Sequence, residues 1–278
     1  MNRKIFWLAS YPKSGNTWIR MFLDVYVTGF PVNFNTAYRY VNLDHDLGML
    51  QLVSAIPVNT LTLEQQFLYQ PAMLSNILYQ AKTKDVIVKT HNANITISGI
   101  PLIPEPLTGG VIYIVRDPRD VLLSYASHLN KTHAEVAAIM NNMQHVVTSK
   151  LNRLFHVMTS WSYHVDSWVG KRKQFPVYVV KYENLLREPE KLFKEILNFL
   201  DIIDINEERF QYALEQTIFA NLSKMEDEQG FIERSDVSKD KFFRVGKAGQ
   251  WRHNLSPDIA DTVFNNHADV MQKLGYIL

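Results

Sequence analysis

Ile5-Phe-Trp-Leu-Ala-Ser-Tyr-Pro-Lys-Ser-Gly-Asn-Thr-Trp18 is the stretch on which the fold of this chain turns. Its first part, Ile5 to Ser10, is a short apolar run that reads as a buried strand. Trp18, Met21, Phe22, Val25 and Tyr26 then share one helical face that ends before Gly29. Strand, tight polar turn and helix, in that order, put Gly15, Asn16 and Thr17 at a helix N-terminus. Free backbone N–H groups meet the positive end of the helix dipole there, so a phosphate is the natural guest. Ser14 and Thr17 add hydroxyl donors, and Lys13 adds a point charge able to reach the far end of a phosphate chain. The order is not that of the nucleotide P-loop, G-x-x-x-x-G-K-[ST]: the lysine precedes the glycine and the upstream glycine is absent. Ordinary helix capping is the plainer reading of the same polar residues.

The chain around this loop has 278 residues, which suits one large α/β domain over 1–278. A hydrophobic share of 46% is ample for a core and argues against disorder. Lys and Arg number 29 against 28 Asp and Glu, a net charge of +1 that disfavours non-specific nucleic-acid binding as a main role. An anion site needs only a few clustered cations and is compatible with that balance. Cysteine is absent, which excludes disulfides, thiolate catalysis and cysteine-based zinc sites and fits a cytoplasmic setting. Met1 to Lys4 followed by an apolar run mimics a signal peptide, but the run is too short, and no stretch has the length of a membrane span.

Further apolar runs follow the first. Asp85-Val-Ile-Val-Lys89 reads as a strand ending in Thr90-His91, Val111 to Val115 as a strand running into Arg116-Asp-Pro-Arg-Asp120, and Val177 to Val180 as a strand before Lys181-Tyr182. Pro118 and Pro189 stand where helices open, and Ser256-Pro257 caps a last helix stopped by Gly275. Another helix is expected over 207–220, and a charged loop over 226–250. Residues 135–169 lack Gly and Pro, and Val136, Met140, Met143, Val147, Leu151, Leu154, Met158, Trp161, Val165 and Trp168 recur at helical spacing, a stripe expected to pack in the core. Residues 30–80 are the least regular stretch. Phe30, Phe34, Tyr38, Tyr40, Phe67, Tyr69 and Tyr79 make it aromatic, and Pro31, Pro57 and Pro71 punctuate it. Most of these rings suit the edge of a core, and at least two could line a pocket.

Strands alternating with helical segments imply βαβ units and a central, mainly parallel sheet flanked by helices, a P-loop-like α/β domain. Ligands of such sheets gather at the carboxyl ends of the strands. The Tyr11 loop, the Lys89-Thr90-His91 turn, the Arg116 turn and the Tyr182 turn are therefore expected to converge. His91 suits a general base, because neutral imidazole accepts a hydroxyl proton near neutral pH. Arg116 suits multidentate phosphate contact, and Ser124 lies eight residues beyond it across a turn and the start of a helix. His128, His133 and His145 have no convincing metal spacing.

Tyr11-Pro-Lys-Ser-Gly-Asn-Thr-Trp18 resembles the phosphosulfate-binding loop of the sulfotransferases that use 3′-phosphoadenosine 5′-phosphosulfate (PAPS). Lys89-Thr90-His91 matches the family's Lys-x-His. Val115-Arg116 through Ser124-Tyr125 matches its 3′-phosphate signature, and Arg244-Val-Gly-Lys-Ala-Gly-Gln-Trp251 its Arg-Lys-Gly-x-x-Gly-x-Trp segment. The resemblance runs from residue 5 to about residue 254. It implies transfer of a sulfuryl group from PAPS to a small-molecule acceptor, with 3′-phosphoadenosine 5′-phosphate (PAP) as product and no metal. As it implies, Lys13 stabilises the leaving phosphate, Ser14, Gly15, Asn16 and Thr17 hold the 5′-phosphate, and Trp18 and Tyr182 contact the nucleotide. Lys89 steadies the sulfuryl oxygens and His91 deprotonates the acceptor. Arg116, Ser124, Arg244 and the Gly246 backbone hold the 3′-phosphate, and Leu222 covers the adenine. Val245 stands where the family carries a second cation, and Lys247 offers one nearby. The short chain and Asn16-Thr-Trp-Ile-Arg20 resemble bacterial members, some of which tailor natural products. A hydroxyl is the favoured acceptor, an amine or guanidine nitrogen the next. The family's dimer motif has no match at Ser256-Pro257, which leaves the oligomeric state open. Two rivals remain: a nucleotide kinase using Asp117 for magnesium, and a non-catalytic nucleotide-binding protein.

Overall fold

The computed structural model describes residues 3–34, 40–44, 46–148, 155–170 and 174–277. Tyr38, Leu151 and Leu154 lie outside them. The chain divides into two compact units, each assembled from three separate stretches. The first unit takes Met1–Tyr11, Val41–Tyr113 and Asn142–Val179, and the second takes Pro12–Tyr40, Ile114–Asn141 and Val180–Leu278.

The opening stretch folds as its pattern requires. Strand β1 (Ile5–Ser10) leads through the polar turn to helix α1 (Asn16–Thr28), which Gly29 ends in the left-handed conformation by donating its N–H to Val25 O at 2.8 Å. Next come β2 (Val41–Leu43), α2 (Leu47–Gln51) and α3 (Leu63–Gln80). The 18-residue α3 corrects the expectation that 30–80 is irregular. Thr62 and Gln65 form a reciprocal capping box at its start. Phe67, Leu74, Ile77 and Leu78 give it a buried face. Pro71 sits inside the helix rather than ending it. Of the other aromatic residues there, Phe30 and Tyr79 are exposed, while Phe34 packs on Phe231 and Phe243 within the second unit.

Strand β3 (Val86–Thr90) is followed by a hairpin of β4 (Thr96–Ile97) and β5 (Ile100–Pro101), and by β6 (Thr108–Val115). Helix α4 (Pro118–Leu129) opens at its proline, as expected, and α5 (His133–Asn141) follows. The apolar stripe over 135–169 is not continuous helix. Between α5 and α6 (Trp161–Val169), β7 (Val146–Thr148) pairs antiparallel with β8 (Phe155–Val157). The β-branched run Val146-Val147-Thr148 favours a strand, and the Asn142 side chain takes the Gln144 N–H at 2.8 Å and turns the chain out of the helix. Then come β9 (Val177–Lys181), α7 (Tyr182–Arg187), α8 (Pro189–Phe199), α9 (Glu207–Gln216), α10 (Phe219–Gln229), α11 (Trp251–Asn254) and α12 (Pro257–Lys273). The helix expected over 207–220 is thus two. Thr217 turns its hydroxyl back on Ala213 O at 2.7 Å, and α10 continues into the stretch read as loop from 226.

The fold is mixed α/β, built on a five-stranded sheet of order β2-β3-β1-β6-β9. The pairs β1–β3 and β2–β3 are parallel, with Ala9 beside Thr90 and Leu43 beside Lys89. Ile5, Trp7, Leu8 and Ala9 of β1 and Val111 to Ile114 of β6 are fully buried, which is why both strands read as unbroken apolar runs. The chain builds the sheet to one side of β1 through β3, and later to the other side through β6. The order therefore reverses at β1, and the loop after β1 leaves a topological switch point, the place where open α/β sheets bind ligands. Among the described residues no helix is long and apolar enough to cross a membrane.

Candidate functional site

The second unit holds the loop after β1. Lys13 has φ 67° and Gly15 φ 107°, so the chain makes two left-handed steps before α1. A Cβ on Gly15 would stand 2.7 Å from the Tyr182 ring, so only glycine lets the loop lie against that tyrosine. Gly15 is the N-cap of α1 and contributes no side-chain cap, which leaves the helix N-terminus for another acceptor. The buried Ser14 hydroxyl likewise has no hydrogen-bond partner among the described residues. These are the donors a phosphate would satisfy.

Three of the expected turns meet in this unit. Arg116 donates from Nη1 to Lys13 O and from Nη2 to Lys247 O, both at 3.2 Å, and its guanidinium lies 4.5 Å from the Tyr182 ring centre. Its Nε is buried with no acceptor among the described residues. Trp18 stands edge-on to Tyr182 and to Phe193. The Lys13 ammonium sits 3.7 Å over the Phe242 ring, and its pKa falls to about 7, chiefly through burial, with Glu233 opposing and Arg116 assisting. Glu233 also accepts from the Thr17 hydroxyl at 3.1 Å and pairs with the buried Arg20 at 2.5 Å.

Lys13, Ser124, His128, Arg234, Lys241 and Arg244 line one cavity of about 10 Å³, room for a single water. Arg234 and His128 are additions to the residues read from the sequence. His128 is pushed down to about 4 by burial and then by Lys13, so it stands there neutral. Gly246 has φ 65°, and a Cβ there would strike the Phe219 ring at 2.3 Å. Val245 is half-buried and Lys247 is exposed; Lys247 touches Arg116 through its carbonyl, and its side chain is not part of the cavity wall. Leu222 is buried in α10 with its N–H bonded to Ile218 O, so it offers a side chain only. Asp117 caps α4 and holds Arg119 in a bidentate pair at 2.9 and 2.7 Å, a structural use of the carboxylate that the kinase reading needed for magnesium.

The first unit holds Lys89 and His91, at and just beyond the end of β3. Lys89 is buried. The His91 Nδ1 lies 2.7 Å from Ser10 O. A carbonyl only accepts, so Nδ1 carries the proton and Nε2 presents a lone pair. The His91 pKa is held well below the ordinary 6.5, by burial first and then by Lys89 and His156, with Ser10 O and Asp44 opposing. The His91 carbonyl accepts from His164 Nε2 at 3.1 Å, so His164 Nδ1 accepts from the Tyr113 hydroxyl at 2.8 Å. Burial lowers His164 to about 4 and raises Tyr113, which keeps both neutral. The arrangement is a fixed, unprotonated imidazole ready to accept a proton.

Comparison with known proteins finds one family, described as "Sulfotransferase domain", matching residues 3–275. The chain is 25% identical over 263 residues to sulfotransferase 1B1 of Canis lupus familiaris, covering 88% of this chain and 76% of that protein. It is 24% identical over 265 residues to cytosolic sulfotransferase 11 of Arabidopsis thaliana, covering 92% and 69%. Among solved structures, mouse sulfotransferase SULT7A1 complexed with PAP matches with a TM-score of 0.60 at 20% identity, over 98% of this chain and 85% of that one. Retinol dehydratase in complex with androsterone and PAP matches with a TM-score of 0.62 at 22% identity, over 96% and 80%.

Proposed function

Because the chain belongs to the sulfotransferase family, we propose that it moves the sulfuryl group of PAPS to a hydroxyl of a small-molecule acceptor, with its two units acting as one catalytic domain. The observation that carries this reading is the set of unmet donors around the α1 N-terminus: an uncapped helix, the buried Ser14 hydroxyl and the buried Arg116 Nε. A phosphate supplies the acceptors they lack. Ser14 to Thr17 hold the 5′-phosphate, Trp18 and Tyr182 border the nucleotide, and Leu222 packs toward the base. Arg116, Ser124, Arg244 and the Gly246 N–H hold the 3′-phosphate, with Arg234 supplying the cation missing at Val245.

PAPS supplies an activated sulfur–oxygen bond. In the transfer the acceptor oxygen bonds to sulfur, the bond from sulfur to the bridging phosphate oxygen breaks, and the acceptor proton passes to His91 Nε2. Lys89 steadies the sulfuryl oxygens. Lys13 and the α1 N-terminus neutralise the charge that develops on the leaving phosphate. Lys13 is half discharged near pH 7 in the free protein, and a phosphate beside it restores its proton. An amine or guanidine nitrogen is the second acceptor class. The androsterone and retinol held by retinol dehydratase support a small hydroxyl compound as the first.

The test is thermal unfolding with PAP, AMP and ATP–magnesium in parallel. Ligand at a hundred times its dissociation constant adds about 2.7 kcal/mol. A melting shift produced by PAP and absent with AMP supports both phosphate sites and justifies an acceptor screen with PAPS. A shift with ATP–magnesium alone overturns the reading in favour of a kinase.

A further inference from the structure

We propose that Asp44 is the positioning residue for His91, holding the chain on both sides of the imidazole in the geometry that proton transfer requires. This rests on the reading of His91 as the base. Asp44 follows β2, whose register with β3 sets Leu43 beside Lys89, and the Asp44 N–H continues the pairing by donating to Lys89 O at 3.3 Å. Its side chain is therefore delivered to the end of β3, and it is 4% exposed.

Its carboxylate grips the residues that bracket His91. Oδ2 accepts from the Thr90 hydroxyl and from Asn92 Nδ2, the latter at 2.8 Å. The Thr90 hydroxyl in turn accepts the Asn92 N–H at 2.9 Å, which closes a small ring of hydrogen bonds around the His91 backbone. Oδ1 faces His156 Nε2 at 3.3 Å, and the His156 ring stands edge-on to His91 at 6.0 Å. Asn92 is anchored further, accepting from Val157 N at 2.8 Å and from Trp168 Nε1 at 3.0 Å. A hydroxyl, an amide and an imidazole N–H thus meet one carboxylate. Asparagine has the same shape but would turn an N–H₂ group toward one set of donors, breaking the ring without opening a cavity.

The consequence is geometric. The Nδ1–H bond to Ser10 O survives only while the chain at 90–92 keeps its place, and that bond sets which nitrogen is left basic. A misplacement near 1 Å costs on the order of 100-fold in rate. Lys89, His156, Asp44 and Ser10 O face His91, and the Ser10 hydroxyl stands 3.3 Å from Nδ1. Loss of the Asp44 charge leaves Ser10 O alone to oppose Lys89 and His156, which makes His91 harder to protonate.

The experiment compares wild type, Asp44→Asn, Asp44→Glu, Thr90→Val and His91→Ala as full chains. The His91 ring is read by NMR of histidine-labelled protein, its signals assigned by their absence from His91→Ala. Wild type should show the Nδ1–H tautomer alone. Asp44→Asn should show a mixture with Nε2–H, a His91 titration moved to lower pH, and turnover of PAPS with the screened acceptor reduced about 10- to 100-fold. The melting shift with PAP should persist. Asp44→Glu should recover part of the loss, and the isosteric Thr90→Val, which removes one arm, should show the same tautomer change in smaller degree, even where Asp44→Asn does not fold. An unchanged tautomer, titration and turnover in Asp44→Asn, beside a His91→Ala protein that has lost turnover, overturns the role of Asp44. Full turnover in His91→Ala overturns the base reading itself.

Discussion

In the second unit α1 has no side-chain cap, and the Ser14 hydroxyl and the Arg116 Nε have no hydrogen-bond partner among the described residues. In the first unit the His91 ring, its carbonyl and both neighbouring residues are bound to Ser10, His164 and Asp44. One region is left incomplete in a way that an anionic ligand would finish. The other is held by protein groups on every side named above. The difference follows from what each must do. Unmet donors cost stability in the free protein, and that cost is recovered when a phosphate arrives. On the proposed reading of His91 as the base, the right proton must already be on the right nitrogen when the acceptor comes, which suits neighbours that are protein groups and a geometry fixed beforehand.

The sharpest way to break the comparison is His91→Ala. Turnover should fall about 10²- to 10⁴-fold while the melting shift with PAP stays at its wild-type size. A loss of PAP binding in that variant would mean that the two regions are not separable. The wild-type rate should also persist as the pH falls through 6.5 and drop only below it, since the His91 pKa lies well beneath the ordinary value and the base is active when deprotonated.

Gly15→Ala attacks the other region. With φ at 107° and the new Cβ 2.7 Å from Tyr182, the substitution should cost about 1–3 kcal/mol, seen as a melting point several degrees lower, and should abolish the PAP shift. Ser14→Ala should separate binding from stability. PAP affinity should weaken about 5- to 10-fold, while the melting point of the free protein holds or rises because a buried unsatisfied hydroxyl is gone. The smallest effect is a proton. Lys13 titrates near 7 in the free protein and higher beside a phosphate. PAP affinity should therefore be greatest below pH 7 and decline above it, and calorimetry at pH 8 in buffers of different ionisation enthalpy should show proton uptake on binding.

The incomplete region was the legible one. Tyr11 to Trp18 is contiguous, its glycine and lysine sit at fixed offsets, and a strand and helix of opposite periodicity flank it, so local chemistry revealed it. Arg116 was legible as a guanidinium at the end of an apolar strand, and Ser124 only through the resemblance to the family's signature. The completed region was not. Asp44 reaches His91 only through the β2–β3 register, and β2 is three residues long, too short to show a period. His164 and His156 join it from a stretch whose apolar spacing reads as helix but which folds partly as the β7–β8 hairpin. Arg234 and His128 are distant in sequence from the loop they neighbour, and nothing local distinguishes them from surface residues. Lys247 was expected to replace the cation absent at Val245, but its side chain is exposed and only its carbonyl meets Arg116. The α3 helix was open to detection: Thr62 and Gln65 stand at capping-box spacing, and the weight given to Pro71 hid it.

The alternation of the two units along the chain bears on how the protein is made. The first unit needs Asn142–Val179, and the second needs Val180–Leu278, before either has all its parts. A nascent chain halted near residue 140 holds the whole loop after β1 and His91, yet lacks the His156 and His164 that pack around His91. The first unit has all its parts once Val179 has emerged, while the second waits for Val180–Leu278. Each unit joins segments far apart in sequence, and such pairings slow folding and leave apolar strands such as β1 and β6 exposed for longer. Fragments cut at either boundary would accordingly be poor substitutes for the intact chain.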